Sequence, residues 1–337
     1  MATINTVKTL HPLLQGFLGS LLTLTALCAS AQEDYVVPRT ADGHPDLQGV
    51  WANNTITPIE RPDVFGDQAF LTAEDIAFLR QRIADITAQD GDALFGDGAF
   101  EAAFSGDVQS FEPSTGNYDQ SWLVERQIHN RTSQIIDPPD GKYPPRTAAG
   151  EAAIQAVQER LFGSPASYTD RLLSERCISY GVPYLSPGYN SYWQIVQARD
   201  HVLILQEMIH DVRIVKLDKE ARLDDRIRMW NGDSRGYWDG DTLVIETGNF
   251  ADNAYEPDAS ARTYVERLTR IGDDQLRYQI TVNDPGAFAA PYTRELIFDG
   301  TADPLYEYAC HEGNYGLMNI LRGARAEEQR AAAGKAD

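Results

Sequence analysis

The sequence is short of cysteine, of basic residues and of long apolar runs, and each shortage narrows what the protein can be. Three cysteines in 337 residues cannot build a cysteine-rich metal cluster. Lys and Arg total 29 against 50 Asp and Glu, for a net charge of −21, which repels phosphate backbones and anionic head groups and excludes nucleic acid as a partner. No His-Glu-x-x-His, His-x-His or cysteine pair is present, so no local segment pre-forms a metal site. No internal repeat is visible. What is present is an ordinary globular balance, 42% hydrophobic and 23% charged, which rules out collagen, coiled coil and a wholly disordered chain.

The one extended apolar run, Leu13 to Ala29, lies in a first stretch that has no acidic residue and a single lysine, Lys8. Gln15, Gly16, Gly19 and Ser20 interrupt it, and a spanning helix needs about 20 predominantly apolar residues. It ends in Ala29-Ser30-Ala31 ahead of the acidic Gln32-Glu33-Asp34, which predicts a signal peptide over residues 1–31 with cleavage after Ala31. A lipid anchor on Cys28 is disfavoured, because Leu27 precedes it where a small residue is wanted. The expected location is periplasmic or secreted, with no membrane contact after cleavage. Cys177 and Cys310 are then the whole thiol supply of the mature chain, and in an oxidising compartment they are expected to pair.

Residues 32–337 read as a single domain whose pattern changes along its length: a first strand region at 32–60, a helical and loop insertion at 61–190, an antiparallel meander at 191–310, and a C-terminal turn and helix at 311–337. Thr72-x-x-Asp75 followed by Ile76, Leu79, Ile83 and Ile86 predicts a capped helix with one buried face. Ile154, Val157 and Leu161 predict a second helix over 147–161, and the Gly- and Asp-rich stretch 90–120 reads as a long loop or lid. From Ser191 the period becomes two. Leu276, Tyr278, Ile280 and Val282 alternate with Gln275, Arg277, Gln279 and Thr281, a strand with one buried face. Similar runs occur at 192–197, 201–209, 212–217, 242–247, 263–270, 292–298 and 305–310, joined by turn signals such as Asp239-Gly240 and Asp284-Pro285-Gly286.

About eight strands at this spacing suit an up-and-down barrel or a sandwich, and the expectation is a mainly β fold, an antiparallel barrel whose closure removes sheet edges and leaves an interior for one small ligand. Gly49-Val50-Trp51 resembles the Gly-x-Trp that opens the first strand of lipocalins, so the expectation is a lipocalin-like barrel carrying a helical insertion. At the motif level most of the mature chain resembles a widespread set of exported bacterial proteins without an assigned function. The resemblance is carried by Arg131-Thr132-Ser133-Gln134-Ile135-Ile136-Asp137-Pro138-Pro139-Asp140-Gly141, by Gln206-Glu207-Met208-Ile209-His210-Asp211-Val212-Arg213, by Gly232-Asp233-Ser234-Arg235-Gly236-Tyr237-Trp238 and by Cys310-His311-Glu312-Gly313-Asn314-Tyr315-Gly316. It implies export and no particular activity.

Two polar clusters stand out as chemistry. His210-Asp211-x-Arg213 offers an acid–base group, a carboxylate to fix its tautomer and a cation for an anionic group, although neighbours on a strand face opposite ways unless the chain turns. His311-Glu312 with Asn314 and Tyr315 follows the last expected strand, where Gly313 and Gly316 signal a turn that lets side chains converge. His129, His210, His311, Glu207 and Glu312 could hold a divalent ion only if distant segments meet, and Asp90-x-Asp92 fails as a calcium loop at Leu94. Gly232-Asp233-Ser234-Arg235-Gly236 matches a nucleophile elbow in letters, yet a hairpin follows it instead of a helix, which leaves Asp233 and Arg235 as an ion pair at the barrel rim. Arg131 is read as belonging to a strap that points into the barrel mouth.

Tyr306, Tyr308 and Cys310 share one face of the final expected strand, and Trp238 adds to an aromatic supply concentrated in the second half. The combined expectation is an exported barrel that binds a small apolar or ring-containing molecule. Its chemistry would be cofactor-independent acid–base catalysis of lyase, isomerase, hydratase or cyclase type. His210 and His311 are the candidate acid–base pair, Asp211 and Glu312 the orienters, and Arg131 and Arg213 the charge stabilisers. A non-catalytic carrier or sensor is the alternative of a different class, and a glycan-acting enzyme a third.

Overall fold

The computed structural model describes residues 35–88, 100, 103, 126–218, 222–252 and 259–334. The leader 1–31 lies outside these, as do Asp90, Asp92 and Leu94, and the expected lid at 90–120 does so except for Phe100 and Ala103.

Nine strands close on themselves. The chain enters at β1 (Gly49–Ala52), and the wall continues through β3 (Tyr192–Gln197), β4 (His201–Gln206), β5 (Val212–Lys216), β6 (Asp233–Asp239), β7 (Thr242–Gly248), β8 (Thr263–Gly272), β9 (Gln275–Asn283) and β10 (Tyr292–Thr301) before β10 pairs back onto β1. A short β2 (Ile135–Asp137) adds to β10 on the edge that β1 also uses. The β6–β7 hairpin turns on Gly240 and Asp241, where the left-handed φ of Gly240 (59°) is one that glycine adopts without strain.

Alternation sets the interior. Leu243, Ile245, Leu268, Leu276, Tyr278, Ile280, Leu296 and Phe298 project inward with Trp51, Trp193, Ile195, Val202, Ile204 and Val215 to form one buried cluster. Trp51, in the expected opening tripeptide, donates its indole N–H to Leu47 O at 2.9 Å. The helices lie in the predicted places. α1 (Ala73–Thr87) has a capping box in which Thr72 and Asp75 satisfy each other's backbone N–H, and Leu79 packs with Ile56, Leu71 and Phe100 in a second, smaller core. α2 (Ala148–Phe162) is capped by Thr147, and α3 (Gly316–Ala333) is the C-terminal helix.

Three details differ from the sequence reading. The junction of β5 with β6 is parallel, through the single pair Lys216 and Arg235, because the connection 217–232 returns the chain to its starting end instead of turning a hairpin. β4 stops at Gln206, since Ile209 and His210 adopt left-handed backbone angles (φ 54° and 45°) that no ladder accommodates. Residues 305–310 are not a strand: closure of β10 on β1 leaves them no edge, and the Tyr306 N–H donates to Glu207 Oε1 at 3.0 Å. Tyr306 and Tyr308 therefore face no barrel interior.

Candidate functional site

One mouth of the barrel holds a cavity of about 240 Å³. Its wall comes from the last inward residues of β8, β9 and β10: Tyr264, Ile280, Val282, Tyr292 and Arg294. Its roof is Val182, Pro183 and Leu185, from a loop pinned across the opening. The pins are specific, because Gln206 Oε1 accepts from the Tyr184 N–H at 2.6 Å, Gln206 Nε2 donates to Gly181 O at 3.2 Å, and Trp193 Nε1 donates to Tyr184 O at 3.2 Å. The rim is polar. Arg262 Nε donates to Asp284 Oδ2 at 3.0 Å, and Phe288 closes the side.

Below Ile280, one inward step along β9, the interior carries charge. Arg213 binds Glu266 with both terminal nitrogens, at 2.6 and 2.9 Å, and the Tyr278 hydroxyl donates to Glu266 Oε1 at 2.8 Å. Glu266 and Tyr278 are completely buried. Burial, reinforced by the Glu266 charge, holds the Tyr278 phenol well above its ordinary range, so it acts as a fixed donor. Burial likewise raises Tyr292. Arg294 is held differently: Gln134 Nε2 donates to Thr57 O at 2.6 Å, which turns Gln134 Oε1 toward the Arg294 guanidinium, while Arg294 Nε is buried with no hydrogen-bond partner.

The residues singled out in the sequence fall into several places. Cys177 and Cys310 are bonded, their Cα atoms 5.6 Å apart, and join a corner built from the 174–190 loop, the turn at 207–211 and the 304–316 segment. Within it His210 Nδ1 lies 3.1 Å from Tyr308 O, which makes Nδ1 the protonated nitrogen. Asp211 does not orient that imidazole. Its carboxylate accepts from the Ser179 hydroxyl at 2.9 Å and from the Tyr180 N–H at 3.1 Å, and burial raises its pKa above the usual carboxylate range. Asn314 Nδ2 donates to Glu175 O at 3.2 Å.

Two open cavities flank this corner. Glu312, Asn314 and Tyr308 line one of about 580 Å³, while His311, Asn314 and Arg176 line another of about 710 Å³. His210 lines neither, so the expected acid–base pair does not share a cavity. Arg131 does not enter the barrel mouth: its Nε donates to Glu295 Oε1 at 2.5 Å on the outer face of β10, with the guanidinium over Phe70. Trp238 faces inward elsewhere, stacked on His44 at 5.1 Å. Tyr306 and Tyr315 are mostly exposed. Asp233 and Arg235 do pair, at 2.8 Å, on a buried part of the outer wall. Of the predicted site residues, Arg213 alone belongs to the charged barrel interior.

Sequence reasoning passed over Glu266 and Arg294, although their signal was present. Tyr264-x-Glu266-x-Leu268 and Tyr292-x-Arg294-x-Leu296 each put a charged residue at an inward position of a strand that is otherwise apolar on that face. Among the described residues no group of three or more His, Cys, Asp or Glu side chains is placed to hold a metal, and no helix is long and apolar enough to cross a membrane. Compared with known proteins, the chain matches no protein-family model, no curated protein and no solved structure, so the reading of this site rests on its own geometry.

Proposed function

We propose that the protein is an exported barrel that binds a small ring-containing molecule in its mouth, under the loop carrying Val182, Pro183 and Leu185. The observation that carries this is the cavity itself, a closed-barrel mouth where Ile280, Val282, Phe288 and the rings of Tyr264 and Tyr292 stand beside Arg262, Asp284 and Arg294, so that its accessible lining is more polar than apolar. Rings and aliphatic side chains give a flat group something to lie against, and the polar groups beside them fix its orientation. At 240 Å³ it is smaller than the roughly 300–1,000 Å³ of drug-sized sites, which suits a single substituted ring. The disulfide supports an oxidising compartment and, with the leader-like first residues, export. Acid–base chemistry by His210 with His311 forms no part of the proposal, since His311 opens onto a different surface and neither imidazole lines the barrel mouth.

Calorimetric titration of the mature chain with single-ring compounds tests the reading. Saturable binding that Val282→Trp abolishes, with the melting temperature of the variant retained, is the expected result. Binding that is indifferent to a tryptophan in the mouth would place the ligand elsewhere and end the proposal.

A further inference from the structure

Charge along the barrel interior is unevenly matched. Arg213 has Glu266, and Arg262 has Asp284. Arg270, at the opposite end of β8 from the cavity, donates instead to three backbone carbonyls, those of Asp46, Gly272 and Asp273. Arg294 lines the cavity in no ion pair among the described residues, the carboxylate that shares the cavity, Asp284, being taken by Arg262: its one hydrogen-bond partner is the neutral Gln134 amide, and its Nε is buried with none. An uncompensated cation with an orphaned donor is costly in a partly desolvated site, because the fold gives up hydration and recovers little.

The cost has a counterpart in how firmly the group is presented. Gln134 is itself fixed, its amide committed to Thr57 O and its backbone N–H to Pro58 O at 2.8 Å, while Gln134 O accepts from the Glu295 N–H at 2.7 Å, next to Arg294 on β10. The guanidinium is thus held in place by its neighbours: Nη2 is taken by Gln134, Nε is enclosed, and Nη1, without a partner among the described residues, is the nitrogen left for the cavity. A planar fork of N–H donors held this way matches a carboxylate.

We infer that the ligand of the barrel mouth is a ring-bearing carboxylate, whose anionic group pairs with Arg294 while its ring lies against Ile280, Val282 and the tyrosines. The inference rests on the small-molecule reading of the mouth and adds the class of ligand to it.

The test compares benzoate with benzyl alcohol, a ring of the same size without charge, and with acetate, the anion without a ring. Wild type is expected to bind benzoate more tightly than either control, with affinity falling as salt is raised. Arg294→Gln is expected to weaken benzoate by about tenfold or more, the loss of one charge-assisted hydrogen bond, and to leave benzyl alcohol unchanged. Arg294→Lys keeps the charge without the fork and should fall between the two, which also guards against a glutamine variant that is merely unstable. Equal affinity for benzoate and benzyl alcohol, or benzoate binding unaltered in both variants, overturns the carboxylate and leaves the ring site standing. Binding of neither ring compound overturns the mouth reading and the carboxylate with it. Acetate binding as tightly as benzoate reduces the site to a simple anion site and overturns the ring-bearing ligand.

Discussion

Arg213 and Glu266 meet inside the barrel as a two-pronged ion pair, 2.6 and 2.9 Å between nitrogen and oxygen, although β5 and β8 are separated in the wall by β6 and β7. The pair spans the barrel interior, and the Tyr278 hydroxyl occupies a further lone pair of the carboxylate. Removing one partner strands the other without water. Glu266→Gln or Arg213→Met should therefore cost about 3–5 kcal/mol in urea unfolding, whereas Arg213→Met combined with Glu266→Leu should recover much of that loss. A double variant as unstable as the sum of the singles would show that the pair contributes through shape alone.

The Cys177–Cys310 bond closes a loop with a sequence separation of 133. On chain-entropy grounds its loss should destabilise the fold by about 4–5 kcal/mol, read as the shift between oxidised protein and a Cys177→Ser, Cys310→Ser variant. Thiol titration of the unfolded, unreduced mature chain should find no free sulfhydryl. One or two reactive thiols would contradict the pairing.

His129 supplies a pH dependence of known sign. Burial holds its pKa below the ordinary 6.5, against the attraction of Asp299, whose carboxylate is 3.8 Å away and is itself raised by burial. Between the lowered folded value and 6.5 the unfolded chain takes up a proton that the folded chain refuses, so this residue's share of stability is complete above 6.5 and is lost on acidification below it. His129→Gln should flatten the fall of the melting temperature on acidification below pH 6.5 relative to wild type. An unchanged slope there would assign the effect to other groups.

Gly150 makes a prediction that runs against helix propensity. It lies in the first turn of α2, where alanine is intrinsically better by about 1 kcal/mol. A Cβ at this position would stand 2.4 Å from Ala287 O and 2.9 Å from Ala287 Cα, both backbone atoms of the segment before β10. Gly150→Ala should thus destabilise by about 1–3 kcal/mol in thermal or denaturant melts, as overpacking does. A more stable variant would mean that the helix shifts freely off the barrel.

Much of the fold was legible because it is written in short-range chemistry. Thr72 and Asp75 cap their helix with atoms three residues apart, Gly240 supplies the turn between β6 and β7, and the period of two from Leu276 to Val282 says which side of β9 is buried. Strand 305–310 failed for a nonlocal reason: its pattern suits a strand, but whether β10 offers an edge depends on β1, far back in the chain. His210 and Asp211 show the same limit in the site, adjacent in sequence yet drawn apart by Tyr308 and by Ser179 with Tyr180.

By itself, then, the sequence determined most of the elements, their buried faces and the two cysteines free to pair, since hydrogen-bond period, capping and turn geometry depend on neighbours within a few residues. The tertiary structure alone decided which charges meet. Arg131 found Glu295 on the outer wall, Arg213 found Glu266 within it, and Arg294 was left facing a cavity. Electrostatic partners are set by distance in space, and barrel closure brings together groups that no spacing along the chain relates.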